Sequence, residues 1–227
     1  MANIAPIAFD NNPNDFKDDS LLKFPIGVKL VRVKGCGCKG LKKCTTDKCS
    51  NFFQKTECQS RCACGNRKFS KTRKVFKYAV QMAGDNKGWG LFATKRIEAG
   101  EFITSYIGDV ITKEEKDRRF EEYKNRGIKH NYMIQAGKYH IDPTFYGNKA
   151  RFANHCCDPN VIVEKWTMDR APQGFKALAF VACKPIEEGQ EITFDYKFDY
   201  DKENAQPCHC DAGNKCNKWI GKAPPKN

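Results

Sequence analysis

The chain has 227 residues, of which 40% are hydrophobic and 30% charged, enough for one good-sized core with small appendages. No stretch approaches the ~18 apolar residues needed to cross a bilayer, which excludes an integral helical membrane protein, and the Asn-, Asp- and Pro-rich start from Met1 to Asp19 lacks the basic and apolar regions of an export signal. Formal net charge is +13, and the stretch from Gly35 to Lys77 holds 12 Lys and Arg against 2 acids, so most of the excess is local. Such a cluster attracts a polyanion such as DNA, although a merely well-solvated basic surface would carry the same signature.

In chain order, residues 1–34 read as an extended leader in which apolar and basic residues alternate from Val28 to Val33, a short strand. Seven cysteines follow, Cys36, Cys38, Cys44, Cys49, Cys58, Cys62 and Cys64, with few large apolar residues between them. Something other than burial must hold that segment. After a basic connector, Ser70 to Lys77, the pattern becomes β-rich, with strands expected at Glu101–Ile107, Ala177–Ala182 and Glu191–Tyr196. One helix is expected at Thr112–Arg126, where Thr112 and Glu115 form a capping-box pair and Phe120 with Tyr123 supplies a narrow apolar stripe. A polar loop, Asp199 to Gln206, leads to Cys208, Cys210 and Cys216, and a Pro- and Lys-containing tail ends the chain.

The cysteines point to metal. No export signal accompanies them, reducing compartments disfavour disulfides, and 13 cysteines cannot all pair. Zinc takes four thiolate or imidazole ligands in a tetrahedron, and short-spaced pairs such as Cys36 with Cys38 let one turn supply two of them. Seven thiolates fill the eight positions of two zinc ions if one sulfur bridges. The competing arrangement is a single zinc with three structural cysteines. The C-terminal trio is one ligand short, and either Cys156 or Cys157 could supply it while the other packs as a small hydrophobe. Taking Cys157, the expected total is three zinc ions. Cys183, isolated in an apolar run, is expected in the core.

Four stretches together resemble the SET-domain lysine methyltransferases: Lys87-Gly88-Trp89-Gly90-Leu91-Phe92, Ser105-Tyr106-Ile107-Gly108-Asp109, the run from Arg151 to Asn160, and Glu191-Ile192-Thr193-Phe194-Asp195-Tyr196. The first cysteine group is similar to the AWS module that accompanies SET domains, and the C-terminal trio to a post-SET module. The resemblance covers about residues 35–221 and implies a mainly β fold with few helices, a SET-domain β-fold with a pseudoknot flanked by small zinc-binding modules. The expected organisation is a leader over 1–34, the AWS zinc module over 35–74, the catalytic domain over 75–200, the post-SET module over 201–221 and a tail over 222–227.

The same resemblance implies S-adenosylmethionine as cofactor, contacted by Lys87, Gly88, Trp89, Asn131, Tyr132, Asn154 and His155. For Arg151 and Phe152 a packing role stands close behind a cofactor contact. Transfer of a methyl group to a lysine needs a neutral amine, whereas free lysine has a pKa near ~10.4, so a narrow aromatic channel must strip its proton and water shell and align it. Tyr196 and Tyr106 are the implied hydroxyl carriers. Phe194 corresponds to the position where phenylalanine leaves room for an already methylated amine, which implies di- or trimethyl product.

The AWS module resembles that of enzymes acting on histone H3 at lysine 36. Consecutive Cys156 and Cys157 are similar to the nuclear-receptor-binding SET subgroup, while Phe-Asp-Tyr and the long loop before Cys208 are similar to the elongation-coupled trimethylating subgroup. The implied setting is the nucleus, on chromatin, with the histone H3 tail within the nucleosome as partner and nucleosomal DNA reached through the basic region, Gly35 to Lys77. Two rival readings are a methyltransferase for another histone lysine or a non-histone target, and a catalytically inactive zinc-containing adaptor; retention of Tyr196, Asn154 and His155 argues against the latter.

Overall fold

The computed structural model describes residues 17–18, 21–38, 49–59, 62, 66–67, 69, 76–84, 86–128, 132–197 and 206–220. Cys44, Cys64 and Asn131 lie outside the described residues, as do nearly all of the connector and polar loop and the C-terminal tail. The strands are β1 (Lys17–Asp18), β2 (Leu30–Val31), β3 (Tyr78–Gly84), β4 (Gly88–Ala93), β5 (Phe102–Ser105), β6 (Gly108–Ile111) and β7 (Ile134–Ala136), then β8 (Tyr139–Gly147), β9 (Asn154–His155), β10 (Val161–Trp166), β11 (Ala171–Pro172), β12 (Ala177–Ala182) and β13 (Thr193–Phe194). The helices are α1 (Ser50–Phe53) and α2 (Lys113–Asn125). None among the described residues is long and apolar enough to cross a membrane. The mainly β class expected from the sequence holds.

The chain forms two compact units, one of residues 1–74, 105–148 and 165–179, the other of 75–104, 149–164 and 180–227. In the first, β8 is paired by β1, β6 and β7, parallel with β1 and antiparallel with the others. Helix α2 starts as expected, the Thr112 hydroxyl accepting from the Glu115 backbone N–H at 3.3 Å. The reciprocal half of a capping box is replaced: the Glu115 carboxylate accepts from Arg118 and Arg119 at 2.8 Å each, and these guanidinium groups hold its pKa down to about 2. The expected apolar stripe reduces to Tyr123, which packs with Ile111, Met133 and Phe145, whereas Phe120 is 43% exposed. What docks the helix is polar. Asp142, 1% exposed, accepts from Arg119 Nη1 and the Tyr123 hydroxyl, both at 2.8 Å.

The leader contributes more than one short strand. Its Lys23 N–H donates to the Gly108 carbonyl at 3.4 Å and its carbonyl accepts from Val110 at 2.7 Å, while β2 pairs with β11 and Val33 N–H donates to Asp169. The strand expected at Val28–Val33 is only Leu30–Val31, because β11 offers just two paired residues. In the cysteine module, Phe52 stands edge-on to Trp166 with centroids 5.6 Å apart, and the Glu57 N–H donates to the Thr167 carbonyl at 2.8 Å.

β3 and β4 of the second unit form a hairpin, and a five-stranded sheet has the order β5-β12-β10-β13-β9. All six residues of β12 are buried, which is why its sequence is continuously apolar rather than alternating. Glu191–Tyr196 is a shorter strand than its pattern suggests because it changes partners: Glu191 bridges Phe92 and Ile192 N–H donates to the Leu91 carbonyl, and only Thr193–Phe194 pair with β9 and β10. Cys183 corrects an expectation. It is exposed rather than core, being the first residue past β12, where its backbone N–H turns to the Asn160 carbonyl.

Candidate active site and cysteine clusters

In the second unit the β3–β4 turn carries Lys87, Gly88 and Trp89. Gly88 has φ +67° and nothing lies within 4 Å of where a Cβ would stand, so the backbone there is both left-handed and open to a ligand. Parallel pairing of β13 with β9 sets Thr193 beside Asn154 and Phe194 beside His155. The Asn154 amide then reaches across, donating to the Trp89 carbonyl at 3.2 Å and to the Glu191 carboxylate at 2.8 Å. Two motifs far apart in sequence are thereby joined at the expected cofactor residues.

His155 is buried, and burial, only partly opposed by Asp195, lowers its pKa. Its Nδ1 accepts from the Tyr196 backbone N–H at 3.2 Å, which assigns the proton of the neutral ring to Nε2, 3.3 Å from Cys157 Sγ. The Asp195 carboxylate is 3.7 Å from Nδ1, too far to compete with that bond. Phe194 and Tyr196 stack obliquely at 4.8 Å, Phe180 backs Phe194 at 4.9 Å, and the Tyr196 ring meets His155 edge-on at 5.4 Å. The Tyr196 hydroxyl donates to the Ala153 carbonyl at 3.0 Å. Arg151 and Phe152 are buried at 5% and 2% exposure, with the guanidinium over the phenyl ring, a packing arrangement.

The first unit holds the remaining candidates. Tyr106 is buried and its hydroxyl donates to the Tyr132 carbonyl at 2.7 Å. Asn148 fixes the residues on either side of Tyr106, its Oδ1 accepting from Ile107 N–H and its Nδ2 donating to the Ser105 carbonyl.

No disulfide joins any two of the eleven described cysteines. The sulfurs of Cys157, Cys208, Cys210 and Cys216 lie within 4.8 Å of one another, a complete four-thiolate set for a tetrahedral zinc. Backbone N–H groups of Asn217 and Lys218 point at Cys157 and Cys216, and burial of Cys210 is outweighed by donors from Cys157 and Ala212, which bring its pKa down to about 6. Donors aimed at sulfur are what a thiolate ligand set needs. Cys156 instead uses its backbone N–H to pair with the Phe194 carbonyl. In the N-terminal cluster Cys36, Cys38 and Cys49 form one group and Cys36, Cys58 and Cys62 another, so that Cys36 belongs to both. The Asn66 amide donates to Cys58 Sγ at 3.4 Å.

Sequence reasoning missed Glu191, Asn148 and Asn160. Glu191 and Asn160 both stood inside quoted motifs, and the Asn160 amide spans Glu191 and Thr193, donating to the Glu191 carbonyl and accepting from the Thr193 N–H.

The chain matches the SET domain family over residues 88–197, just under half of its length. Its curated relatives include Histone-lysine N-methyltransferase Set2 of Drosophila melanogaster, 38% identical over 78% of this chain and 8% of the relative, and the H3 lysine-36 specific histone-lysine N-methyltransferase of Yarrowia lipolytica, 37% identical over 84% and 24%. Human Histone-lysine N-methyltransferase SETD2 is 35% identical over 76% of this chain and 7% of its own length. The chain thus spans a quarter or less of these relatives. Among solved structures, KRYPTONITE in complex with mCHG DNA and SAH shares the fold, with TM-score 0.71 and 23% identity over 92% of this chain and 48% of that one.

Proposed function

We propose that this chain is an S-adenosylmethionine-dependent protein lysine methyltransferase that acts on histone H3 in the nucleosome, at lysine 36, and gives di- or trimethyl product. The observation that carries this reading is the β9–β13 pairing, which holds Asn154 against the Trp89 carbonyl and sets the Phe194–Tyr196 ring pair beside His155. The relatives' names support the substrate and residue.

Bound S-adenosylmethionine would supply an electrophilic methyl group. Around it, the Gly88 turn lets backbone come close, and Lys87, Trp89, Asn154 and His155 would form the cradle. Tyr196 commits its O–H to Ala153, so an amine N–H reaching the same oxygen meets an acceptor, which orients the nitrogen lone pair. Phe194 and Phe180 give an apolar wall that favours the neutral over the charged amine. Most of the acceleration comes from alignment and desolvation rather than from acid–base chemistry.

Three zinc ions accompany this function: one on Cys157, Cys208, Cys210 and Cys216, and two on the N-terminal seven, with Cys36 as the bridging sulfur and Cys44 and Cys64 completing the sets. Seven thiolates against two ions subtract charge, yet the Gly35–Lys77 region stays basic and would meet nucleosomal DNA, making activity salt-sensitive. A chromatin setting places the protein in the nucleus.

The test is transfer of labelled methyl groups to nucleosomes that carry single lysine-to-arginine changes in histone H3. Loss of labelling only with the lysine-36 change is the expected result; equal labelling of that variant overturns the site, and no labelling of any nucleosome overturns the activity.

A further inference from the structure

Glu191 lies at a crossing of contacts that its place in a strand motif does not announce. One carboxylate oxygen, Oε1, accepts from the Asn154 amide at 2.8 Å; the other, Oε2, accepts from Lys87 Nζ at 3.2 Å. Lys87 Nζ also reaches Asp211 Oδ2 at 2.9 Å, on the loop between Cys210 and Cys216. The Glu191 backbone is fixed independently, its carbonyl accepting from Asn160 Nδ2 at 2.8 Å and its neighbour Ile192 donating to Leu91 at 2.7 Å. A carboxylate on so constrained a backbone has little freedom to follow its partners; they must follow it.

Gly90 points the same way. A Cβ there would stand 2.8 Å from Glu191 Oε1 and 2.9 Å from both Ala83 Cβ and Phe92 Cε2, closer than real contacts allow. Its φ is not in the left-handed region, so it is not a turn glycine in the way Gly88 is. The second glycine of the Gly-x-Gly is small because the carboxylate occupies the space beside it.

We propose that Glu191 is the positioning residue of the cofactor cradle: its carboxylate sets the Asn154 amide and the Lys87 side chain, the two flanks of the Gly88 turn, in one geometry. The proposal rests on the methyltransferase reading. Magnitudes separate its parts. The Lys87–Glu191 pair is 19% and 15% exposed and belongs to a network, whereas Asp211 is 89% exposed, so its contact with Lys87 adds little. Removing the carboxylate leaves the Asn154 amide only the Trp89 carbonyl and Lys87 only the exposed Asp211, a loss of about 10-fold or more in an equilibrium that needs both donors placed.

The experiment uses the full zinc-loaded chain, titrated with S-adenosylmethionine by calorimetry and assayed on nucleosomes, as wild type, Glu191→Gln, Glu191→Ala and Asp211→Asn. Expected for Glu191→Ala is a rise of about 10-fold or more in Kd and KM for S-adenosylmethionine, with kcat at saturation within about 2-fold of wild type. Glu191→Gln keeps an acceptor for Asn154 and should fall between wild type and Glu191→Ala; Asp211→Asn should change KM less than about 3-fold. A lowered Tm with unchanged KM in Glu191→Ala would show a merely structural residue and overturn the proposal. If that variant does not fold, Glu191→Gln decides: a raised KM in the folded protein supports positioning, an unchanged one overturns it. Wild type that binds no S-adenosylmethionine would fail the methyltransferase reading itself, and this inference with it; wild type that binds and transfers while both Glu191 variants match it fails this inference alone.

Discussion

The two cysteine clusters differ in where their ligands come from. Among the described residues, the N-terminal one draws its sulfurs from the stretch between Cys36 and Cys62, and Cys36 serves both of its groups. The C-terminal one takes three sulfurs from Cys208 to Cys216 and the fourth from Cys157, two residues after the His155 that abuts Tyr196. A metal in the first would fold a module; a metal in the second would tie a loop to the strand that carries Asn154 and His155. The clusters look alike in the sequence, yet only the second should be felt at the cofactor.

The largest effect should therefore come from Cys157→Ser. One zinc per chain should be lost, with at least a 100-fold fall in methyl transfer and a weakened affinity for S-adenosylmethionine, whereas Cys38→Ser should lower zinc content and Tm while cofactor Kd moves less than about 3-fold. Elemental analysis with calorimetry measures both; equal loss of cofactor affinity in the two variants would break the comparison. Next is Tyr196→Phe, which should lower kcat by about 100-fold with cofactor Kd nearly unchanged, since in the proposed function the hydroxyl orients the amine rather than the cofactor. Full activity would show that the channel lies elsewhere.

Asp142→Asn sharpens the contrast from the other side. It leaves Arg119 without its buried charge partner and should destabilise the protein by about 3 kcal/mol in urea unfolding, with no change in cofactor Kd for the protein that remains folded. Phe194→Tyr should keep turnover but shift product toward monomethyl, read by mass spectrometry; an unchanged product in a folded variant would make Phe194 simply core. Smallest is Glu115→Gln. The Glu115 pKa is held at about 2 in the fold against 4.5 unperturbed, so its contribution is present above pH 4.5 and is lost as pH falls toward 2. On a half-exposed helix surface it amounts to less than about 1 kcal/mol, and the stability gap between variant and wild type should close across that window.

Features with a local cause could be read from the chain alone. Thr112 had to cap a helix because the Glu115 N–H needed an acceptor, and Ala177–Ala182 had to be a buried strand because nothing in it suits water. The need for a fourth ligand beside Cys208, Cys210 and Cys216 is likewise arithmetic. That the sulfur lying with them belongs to Cys157 is a matter of tertiary geometry, as is the exposure of Cys183 one residue past its strand. Glu191 was illegible for the same reason: its carboxylate partners are 37 and 104 residues away, and nothing local distinguishes it from any strand glutamate. Phe120 misled because helical spacing marks a face without saying how far the neighbouring sheet extends beneath it.

The most direct measurement is tandem mass spectrometry of histone H3 recovered from nucleosomes incubated with the zinc-loaded chain and S-adenosylmethionine. Two or three methyl groups on lysine 36, absent when the chain carries Tyr196→Phe, is the predicted result. Unmodified histone H3, or methyl groups confined to another lysine, from wild-type protein that is folded and binds S-adenosylmethionine would contradict it.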